Sequence, residues 1–369
     1  MINLIQKEIE RRGIFSVTEN FNGEIVNQDN LGEYRKELIA LLEKYSYGIT
    51  PNVETSVSGK VISRDMGAYA GKCTEEKIEI TIKTDSFSYT FPIALFVPNK
   101  VEKPPVFVQI SFRPVPDRYH PVEDIVSRGY AYAVMVYKDI VNDNGYEDFS
   151  DGLGACFNTK RPRKPDEWGK IGMWAFAGSR VLDYIINERA DIDGEKAIVI
   201  GHSRLGKTAL WCGALDTRWW GVVSNNSGYG GAASSKQHTG EKITAFMEYG
   251  TYDWFCNNFK TFRCEKEDEK PYDQSQLLAL IAPRYLCVGS SEEDFGADPL
   301  AEFLTTYQAS KLWKALKKDG LVYPHDRFPK VGEKFQDGDI GYHLRAYRHF
   351  FSIEDWRTYL DFFDKKLGK

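Results

Sequence analysis

Residues 197–210 read Ala-Ile-Val-Ile-Gly-His-Ser-Arg-Leu-Gly-Lys-Thr-Ala-Leu. The apolar start is typical of a buried strand, the middle of a tight turn and the last part of a helix. A strand-to-helix turn of this kind can raise a serine above a sheet as a nucleophile elbow. Ser203 would stand at a helix N-terminus, where the backbone N–H of Arg204 can stabilise an oxyanion. The usual spacing is GxSxG, whereas this chain has GxSxxG. The segment therefore predicts a serine nucleophile, the alternative being a turn that only connects two elements.

Short apolar runs with few charges recur on both sides of this segment. Such runs are typical of parallel strands that helices cover on both faces. They are Val106–Phe112, Tyr130–Val136, Ala197–Ile200, Gly221–Ser224 and Tyr285–Val288. Trp168–Ile186 has the spacing of an amphipathic helix, and Ser352–Asp355 resembles a capping box before a helix over Trp356–Leu367. The alternation predicts an α/β protein with an open, mainly parallel sheet.

One domain is predicted over residues 1–369. Residues 1–75 resemble helix and loop and are expected to pack as an extension on a core of residues 76–369. Within that core, Lys77–Val97 alternates between apolar and polar residues around the turn-like Thr84–Ser86. This pattern predicts an antiparallel hairpin.

The composition excludes several classes of protein. Hydrophobic residues make up 42% of the 369 residues, which indicates a folded chain. The net charge of −5 favours neither nucleic acid nor a membrane surface as a partner. The six cysteines form no CxxC pair, so no zinc site or disulfide scaffold is expected. The charged stretch Met1–Val17 lacks the apolar segment of a signal peptide, so we expect a cytoplasmic protein, or a secreted one if a leader has been trimmed.

A serine nucleophile needs a histidine base, and the chain has six histidines. His202 adjoins the nucleophile and is expected to pack away from it. Three others lie in polar segments and are expected at the surface: His120, His238 and His325. In α/β-hydrolases the base lies on a loop after the last strand. A last strand over 341–346 would contain His343 and leave His349 on that loop, so His349 is the predicted base.

The acid that orients the base is expected on the loop after Tyr285–Val288, the penultimate strand. Four acidic residues crowd that loop, and a solvated turn is the alternative reading. Asp298 precedes Pro299 and resembles a helix N-cap. Glu292, Glu293 and Asp294 remain as candidates.

The nucleophile segment resembles that of the glucuronoyl esterases, carbohydrate esterase family fifteen, including the spacing GxSRxGK. Further motifs of the family follow in order along the chain: Trp168–Asp183, Asn225–Ala233, Trp254–Phe259, Tyr272–Gln274, Leu280–Arg284, Glu293–Pro299 and Tyr342–Trp356. The resemblance covers roughly Tyr45 to the C-terminus. It implies the α/β-hydrolase fold, a three-layer αβα sandwich with a mainly parallel central sheet.

The resemblance also implies roles for single residues. The catalytic group would comprise Ser203 as nucleophile, His349 as base, Asp294 as acid and Arg204 as an oxyanion-hole contributor. The substrate-binding residues would be Lys207, Glu241 and Trp254, with the first two contacting the sugar. No metal or cofactor is implied.

Three departures from the family affect these roles. Asn226 stands where many members carry the triad glutamate, while Asp294 matches the later acid of other members. Gly296 stands where a tryptophan often walls the sugar pocket, and Gln109–Pro114 lacks the usual glycine-asparagine pattern. The chemistry can survive these changes while the substrate preference shifts.

The resulting expectation is a serine carboxylesterase that hydrolyses esters of (4-O-methyl-)glucuronic acid, such as lignin–glucuronoxylan links, through an acyl-enzyme. Gly296 favours one alternative, an acetyl xylan esterase or another small-molecule carboxylesterase on the same scaffold. Asn226 favours another, a sugar-binding relative that has lost catalysis.

Overall fold

The computed structural model of the protein describes residues 3–143, 148–157, 162–248, 250 and 253–369, and within them ten strands form one sheet. The strands are β1 (Ser56–Gly67), β2 (Cys73–Lys83), β3 (Ser88–Pro98), β4 (Pro105–Ser111), β5 (Ala131–Val136), β6 (Asp193–His202), β7 (Gly221–Asn225), β8 (Tyr285–Ser291), β9 (Lys334–Phe335) and β10 (Ile340–Arg345). Their order in the sheet is β1-β2-β3-β5-β4-β6-β7-β8-β10-β9. The strands from β5 to β10 in that order run parallel, and β1, β2, β3 and β9 are antiparallel additions at the edges.

Helices cover both faces of this sheet. They are α1 (Leu4–Arg12), α2 (Leu31–Leu42), α3 (Ala68–Gly71), α4 (Val122–Ser127), α5 (Gly152–Phe157), α6 (Lys170–Glu188), α7 (Arg204–Leu215), α8 (Ile243–Glu248), α9 (Gln274–Ala279), α10 (Pro299–Ala315) and α11 (Ile353–Leu367). Side chains of α4 and α11 form one apolar core with one face of the sheet. Side chains of α6, α7, α9 and α10 form the second core on the other face. The predicted three-layer α/β fold is confirmed.

The local patterns of the sequence explain these elements. Every residue of β4 and of β7 is buried, as expected of strands with helices on both sides. The hairpin is confirmed, because β2 pairs with β3 antiparallel in an unbroken register. At α11 the Ser352 hydroxyl accepts from the Asp355 N–H at 3.1 Å, while the Asp355 carboxylate accepts from the Ser352 N–H, completing the capping box. Within the described residues, no helix combines the length and apolar character needed to cross a bilayer.

The boundary predicted at residue 75 is wrong in part. β1 and the start of β2 lie before it, yet they are strands of the central sheet. β1 is an edge strand, and most of its side chains are exposed. Because neither face of it is well buried, its sequence lacks the alternation by which strands are recognised.

Candidate active site

The predicted elbow joins β6 to α7, with Ser203 between them at φ 58° and ψ −130°. Positive φ is strained for a residue other than glycine, and such strain is characteristic of functional turns. A Cβ on Gly201 would lie 2.0 Å from the carbonyl oxygen of Leu205, so only glycine fits there. A Cβ on Gly206 would lie 3.0 Å from the Cβ of Ser227. The second glycine of GxSxxG therefore lets α7 approach the segment after β7.

Asp294 and His349 meet at the carboxyl edge of the sheet. Asp294 follows β8, and its Oδ2 accepts a hydrogen bond of 2.6 Å from Nδ1 of His349, which follows β10. The His349 side chain is 43% exposed, whereas that of Asp294 is 7% exposed. Glu292 and Glu293 are both exposed, and Glu293 faces Arg348 at 3.6 Å. Of the three acids on this loop, the structure brings Asp294 to the imidazole.

Two donors meet on the same oxygen of Asp294. Besides His349, the side-chain amide of Asn226 donates to Oδ2 at 2.8 Å. Burial alone would raise the pKa of Asp294, but the hydrogen bond and charge of His349, together with the Asn226 amide, outweigh it and lower the pKa. Asp294 is therefore held as the anion that an imidazolium needs beside it.

His202 is buried and packs against His349, in agreement with its predicted packing role. Its ring centroid lies 4.5 Å from that of His349 and 5.6 Å from that of Phe351, on which it stacks. Its Nδ1 donates to the Asn225 side-chain carbonyl at 2.7 Å. Burial and the neighbouring His349 lower the pKa of His202 to about 3, so His202 is neutral. Because His202 precedes Ser203, this contact places His349 beside the elbow.

The guanidinium of Arg204 is held in a fixed position beside the elbow. It forms an ion pair with Asp143, and it lies 4.3 Å from the ring centroid of Trp254 and 5.3 Å from that of Phe112. The indole N–H of Trp254 donates to the other oxygen of Asp143 at 2.9 Å. Trp254 is 6% exposed. The ring therefore supports the guanidinium, and the predicted contact of Trp254 with substrate stays a prediction.

Lys207 lies one turn beyond Ser203 and is 3% exposed. Its ammonium donates to the carbonyl oxygen of Ser227. Burial lowers its pKa to about 8, although the carboxylates of Glu241 and Glu302 act in the opposite direction. Lys207 is therefore a cation at neutral pH.

Glu241 and Glu302 are the two carboxylates whose charges act most on this cation. The N–H of Glu241 donates to the carbonyl oxygen of Gly296 at 2.8 Å. Glu302, on α10, is fully buried, and burial raises its pKa to about 8. It accepts from the N–H of Gly228 at 2.9 Å and so fixes the segment that holds Lys207.

Comparison with known proteins assigns the chain to a family. The family model described as "Glucuronyl esterase, fungi" matches residues 80–317. A carbohydrate esterase from an unknown prokaryotic organism is 31% identical in an alignment that covers 90% of this chain and 84% of that protein. The chain belongs to the glucuronyl esterase family. It is accordingly a carboxylic ester hydrolase.

Other glucuronyl esterases agree with this assignment in sequence and in fold. A 4-O-methyl-glucuronoyl methylesterase of Schizophyllum commune is 26% identical, covering 81% of this chain and 71% of that protein. A promiscuous CE15 esterase from the marine bacterial metagenome superposes with a TM-score of 0.85 at 30% identity, over 95% of this chain and 96% of the other. A glucuronoyl esterase from Solibacter usitatus gives the same TM-score and coverage at 29% identity.

Sequence reasoning missed some of the polar residues of this glucuronyl esterase. Asp143 follows β5 without any motif around it, and its ion pair with Arg204 depends on tertiary structure alone. The surface prediction is wrong for His120, which is buried and bonds the Tyr132 hydroxyl at 2.7 Å. It is wrong in part for His238, whose side chain is 4% exposed and bonds Glu267 at 2.8 Å. In the part of the chain that the structure describes, no group of three or more His, Cys, Asp or Glu side chains could hold a metal ion.

Proposed function

We propose that the protein hydrolyses esters of (4-O-methyl-)glucuronic acid, including those that join glucuronoxylan to lignin alcohols. The observation that carries the proposal is the 2.6 Å hydrogen bond between His349 and Asp294, next to the strained turn at Ser203. The relative in Schizophyllum commune is named for action on 4-O-methyl-glucuronoyl methyl esters.

In the proposed reaction, the hydroxyl of Ser203 attacks the uronate carbonyl and its proton passes to Nε2 of His349. Asp294 engages Nδ1, so it orients the ring and stabilises the imidazolium. The tetrahedral intermediate expels the alcohol, which takes the proton from His349. Water that the same histidine activates then hydrolyses the acyl-enzyme and releases glucuronate.

The oxyanion of each intermediate would lie at the start of α7. The first N–H groups of a helix have no acceptor within it, so the N–H of Arg204 is available for the developing charge. The guanidinium of Arg204, held by Asp143 and Trp254, adds a positive charge beside it. Lys207 and Glu241 would hold the sugar hydroxyls, a pairing that suits a neutral ester.

A broader carboxylesterase activity is the second candidate, and Gly296 favours it. A Cβ at this position would lie in ordinary contact with the Glu241 side chain, at 3.5 Å, so the glycine leaves room beside Glu241 that a larger side chain would fill. The third reading, a non-catalytic sugar-binding protein, rested on Asn226. The contact of Asp294 with His349 removes that ground.

The test compares wild type with Ser203→Ala on a methyl ester of 4-O-methyl-glucuronate and on an aryl acetate. We expect wild type to prefer the glucuronate ester, and we expect the variant to lose roughly 10⁶-fold in kcat on both esters, because the nucleophile is gone. Thermal unfolding of the variant should match wild type. A folded variant with a tenth of the wild-type activity would contradict the serine mechanism, and a preference for the acetate would favour the second candidate.

A further inference from the structure

The amide of Asn226 is built into the contact between Asp294 and His349. Asn226 follows β7 and is 1% exposed. Its Nδ2 donates to Oδ2 of Asp294 at 2.8 Å and to the hydroxyl of Ser291 at 2.7 Å. Both protons of the amide are thus directed at β8 and the loop that follows it.

The oxygen that Asn226 contacts is the one that serves the imidazole. Oδ2 of Asp294 accepts from Nδ1 of His349 at 2.6 Å and from Asn226 at 2.8 Å. Two donors on one carboxylate oxygen fix the rotation of the carboxylate plane. They also stabilise the ionised form, since only the anion accepts both bonds without competing for a proton.

Backbone geometry does not account for the amide. Asn226 has φ 45°, a region that asparagine and glycine tolerate best. Its N–H donates to the carbonyl oxygen of Gly289 at 2.8 Å. Glycine would meet both requirements. The side-chain Oδ1 is buried and has no hydrogen-bond partner among the described residues. A buried unpaired carbonyl is unfavourable, so the donor side of the amide must compensate for it.

We propose that Asn226 is a positioning residue for ester hydrolysis, whose amide holds the Asp294 carboxylate in the orientation and ionisation state that His349 requires. This inference rests on the proposed function of the same site. It assigns separate tasks to two neighbouring positions: Asp294 supplies the charge, and Asn226 supplies the donor.

Two variants test the role of the Asn226 side-chain amide separately from that of its backbone conformation. Asn226→Gly keeps a residue suited to φ 45° and removes the amide. We expect kcat to fall roughly 10- to 100-fold with KM unchanged, as for loss of a hydrogen bond to a charged group.

The second variant, Asn226→Asp, keeps the shape of the side chain and replaces the amide by a carboxyl group. When two carboxylates lie this close, one of them takes up a proton at raised pKa. Protonated Asp at 226 can donate to Asp294, but the ionised form repels it.

The decisive measurement is therefore the kcat of Asn226→Asp divided by the kcat of wild type, determined across the pH range. The proposal expects a ratio near one on the acid side that falls as pH rises through the raised pKa. A ratio that is the same at every pH, or wild-type kcat in Asn226→Gly, would overturn it. Lys103→Gly is the control, because Lys103 has φ 47° on an exposed turn away from the site and its replacement should leave kcat unchanged.

Failure of this inference can be told apart from failure of the proposed function. Each ratio is measured on whichever ester the wild type cleaves. If wild type prefers an aryl acetate, the proposed substrate is wrong, yet the ratios still test the amide. If wild type prefers the glucuronate ester and the ratios do not change with pH, the substrate proposal stands and Asn226 is only a structural residue.

Discussion

Two histidines, one on β10 and one on the segment after it, each form a hydrogen bond with an aspartate. His349 bonds Asp294 at 2.6 Å, and His343 bonds Asp355 at 2.8 Å. The bonds are alike, but the His349 side chain is 43% exposed and that of His343 is 3% exposed. A short bond between imidazole and carboxylate is therefore no evidence of catalysis by itself. The exposure of the ring, and what else binds the carboxylate, separate the two pairs.

The partners of each carboxylate show what it is used for. Asp355 accepts from the guanidinium of Arg345 at 2.9 Å and from both the N–H and the hydroxyl of Ser352 at 2.9 Å. Its charge stabilises the contact between β10 and the start of α11. Asp294 has a neutral amide as its second side-chain partner, so its charge remains for the imidazole. The buried pair is structural, and the exposed pair is suited to proton transfer.

Asp294→Asn is the strongest test of the different roles given to the two pairs. We expect kcat to fall roughly 10³- to 10⁴-fold, because an amide can hold the wrong tautomer and cannot stabilise imidazolium. Initial rates at saturating ester measure the loss, and urea unfolding should show only a small change in stability.

Glu292→Gln and Glu293→Gln are the matched controls, since they change exposed acids on the same loop. Both should keep wild-type kcat. If either one lost activity while Asp294→Asn kept it, the loop would be right and the assigned acid wrong.

The reciprocal variant is Asp355→Asn. It leaves the guanidinium of Arg345, 6% exposed in its side chain, without its carboxylate, and it weakens the capping box of α11. Breaking a buried ion pair in this way costs roughly 3–5 kcal/mol. We expect urea unfolding to show this loss while kcat, measured where the variant is folded, stays near wild type. Lost turnover at unchanged stability would reverse the roles given to the two pairs.

Much of the site followed from the sequence because its signals are local or ordered along the chain. The elbow at Ser203 lies in one continuous segment, and the positions of His349 and of the loop that carries Asp294 follow from the order of strands and loops. The choice of Asp294 over Glu292 and Glu293 came from the resemblance to the family. His343 was expected inside the last strand, and it lies in β10. These predictions needed only which strand each residue follows, since parallel strands end at one edge of the sheet.

The contacts between loops could not be predicted in the same way. Asp143 reaches Arg204, and Asn226 reaches Asp294, only because distant loops converge above the sheet. Trp254 was expected to face substrate, and the hydrogen bond from its indole N–H to Asp143 was not foreseen. Which side of an aromatic residue is covered depends on tertiary packing that residue spacing does not encode.

A buried cation lies near each of the two pairs. Arg345 is neutralised by Asp355, whereas Lys207 donates to the neutral carbonyl of Ser227. The charges of Glu241 and Glu302 also act on Lys207, but the bond to Ser227 uses one of the three N–H donors of its ammonium, so donors remain for a ligand. We therefore expect Lys207→Met to reduce kcat/KM for the glucuronate ester roughly 10- to 100-fold more than for an aryl acetate, the effect of one hydrogen bond to a charged group. Equal losses on the two esters would assign Lys207 to support of the elbow instead.

The smallest expected effect concerns acid stability. Burial opposes ionisation of Asp355, but the hydrogen bond from His343 and the charges of His343 and Arg345 prevail and lower its pKa to about 2. The unfolded chain binds a proton at this residue near pH 4. Between about pH 4 and pH 2 the unfolded state therefore holds more protons, so stability falls as pH falls through that window.

Asp355→Asn should remove this part of the pH dependence, measured as the free energy of unfolding in urea at pH 5, 4 and 3. Asp294→Asn should remove less, because the side chain of its partner His349 is 43% exposed and water screens the pair. If Asp294→Asn flattened the profile more than Asp355→Asn did, the exposed pair would be the stronger structural link and the division of roles between the two pairs would fail.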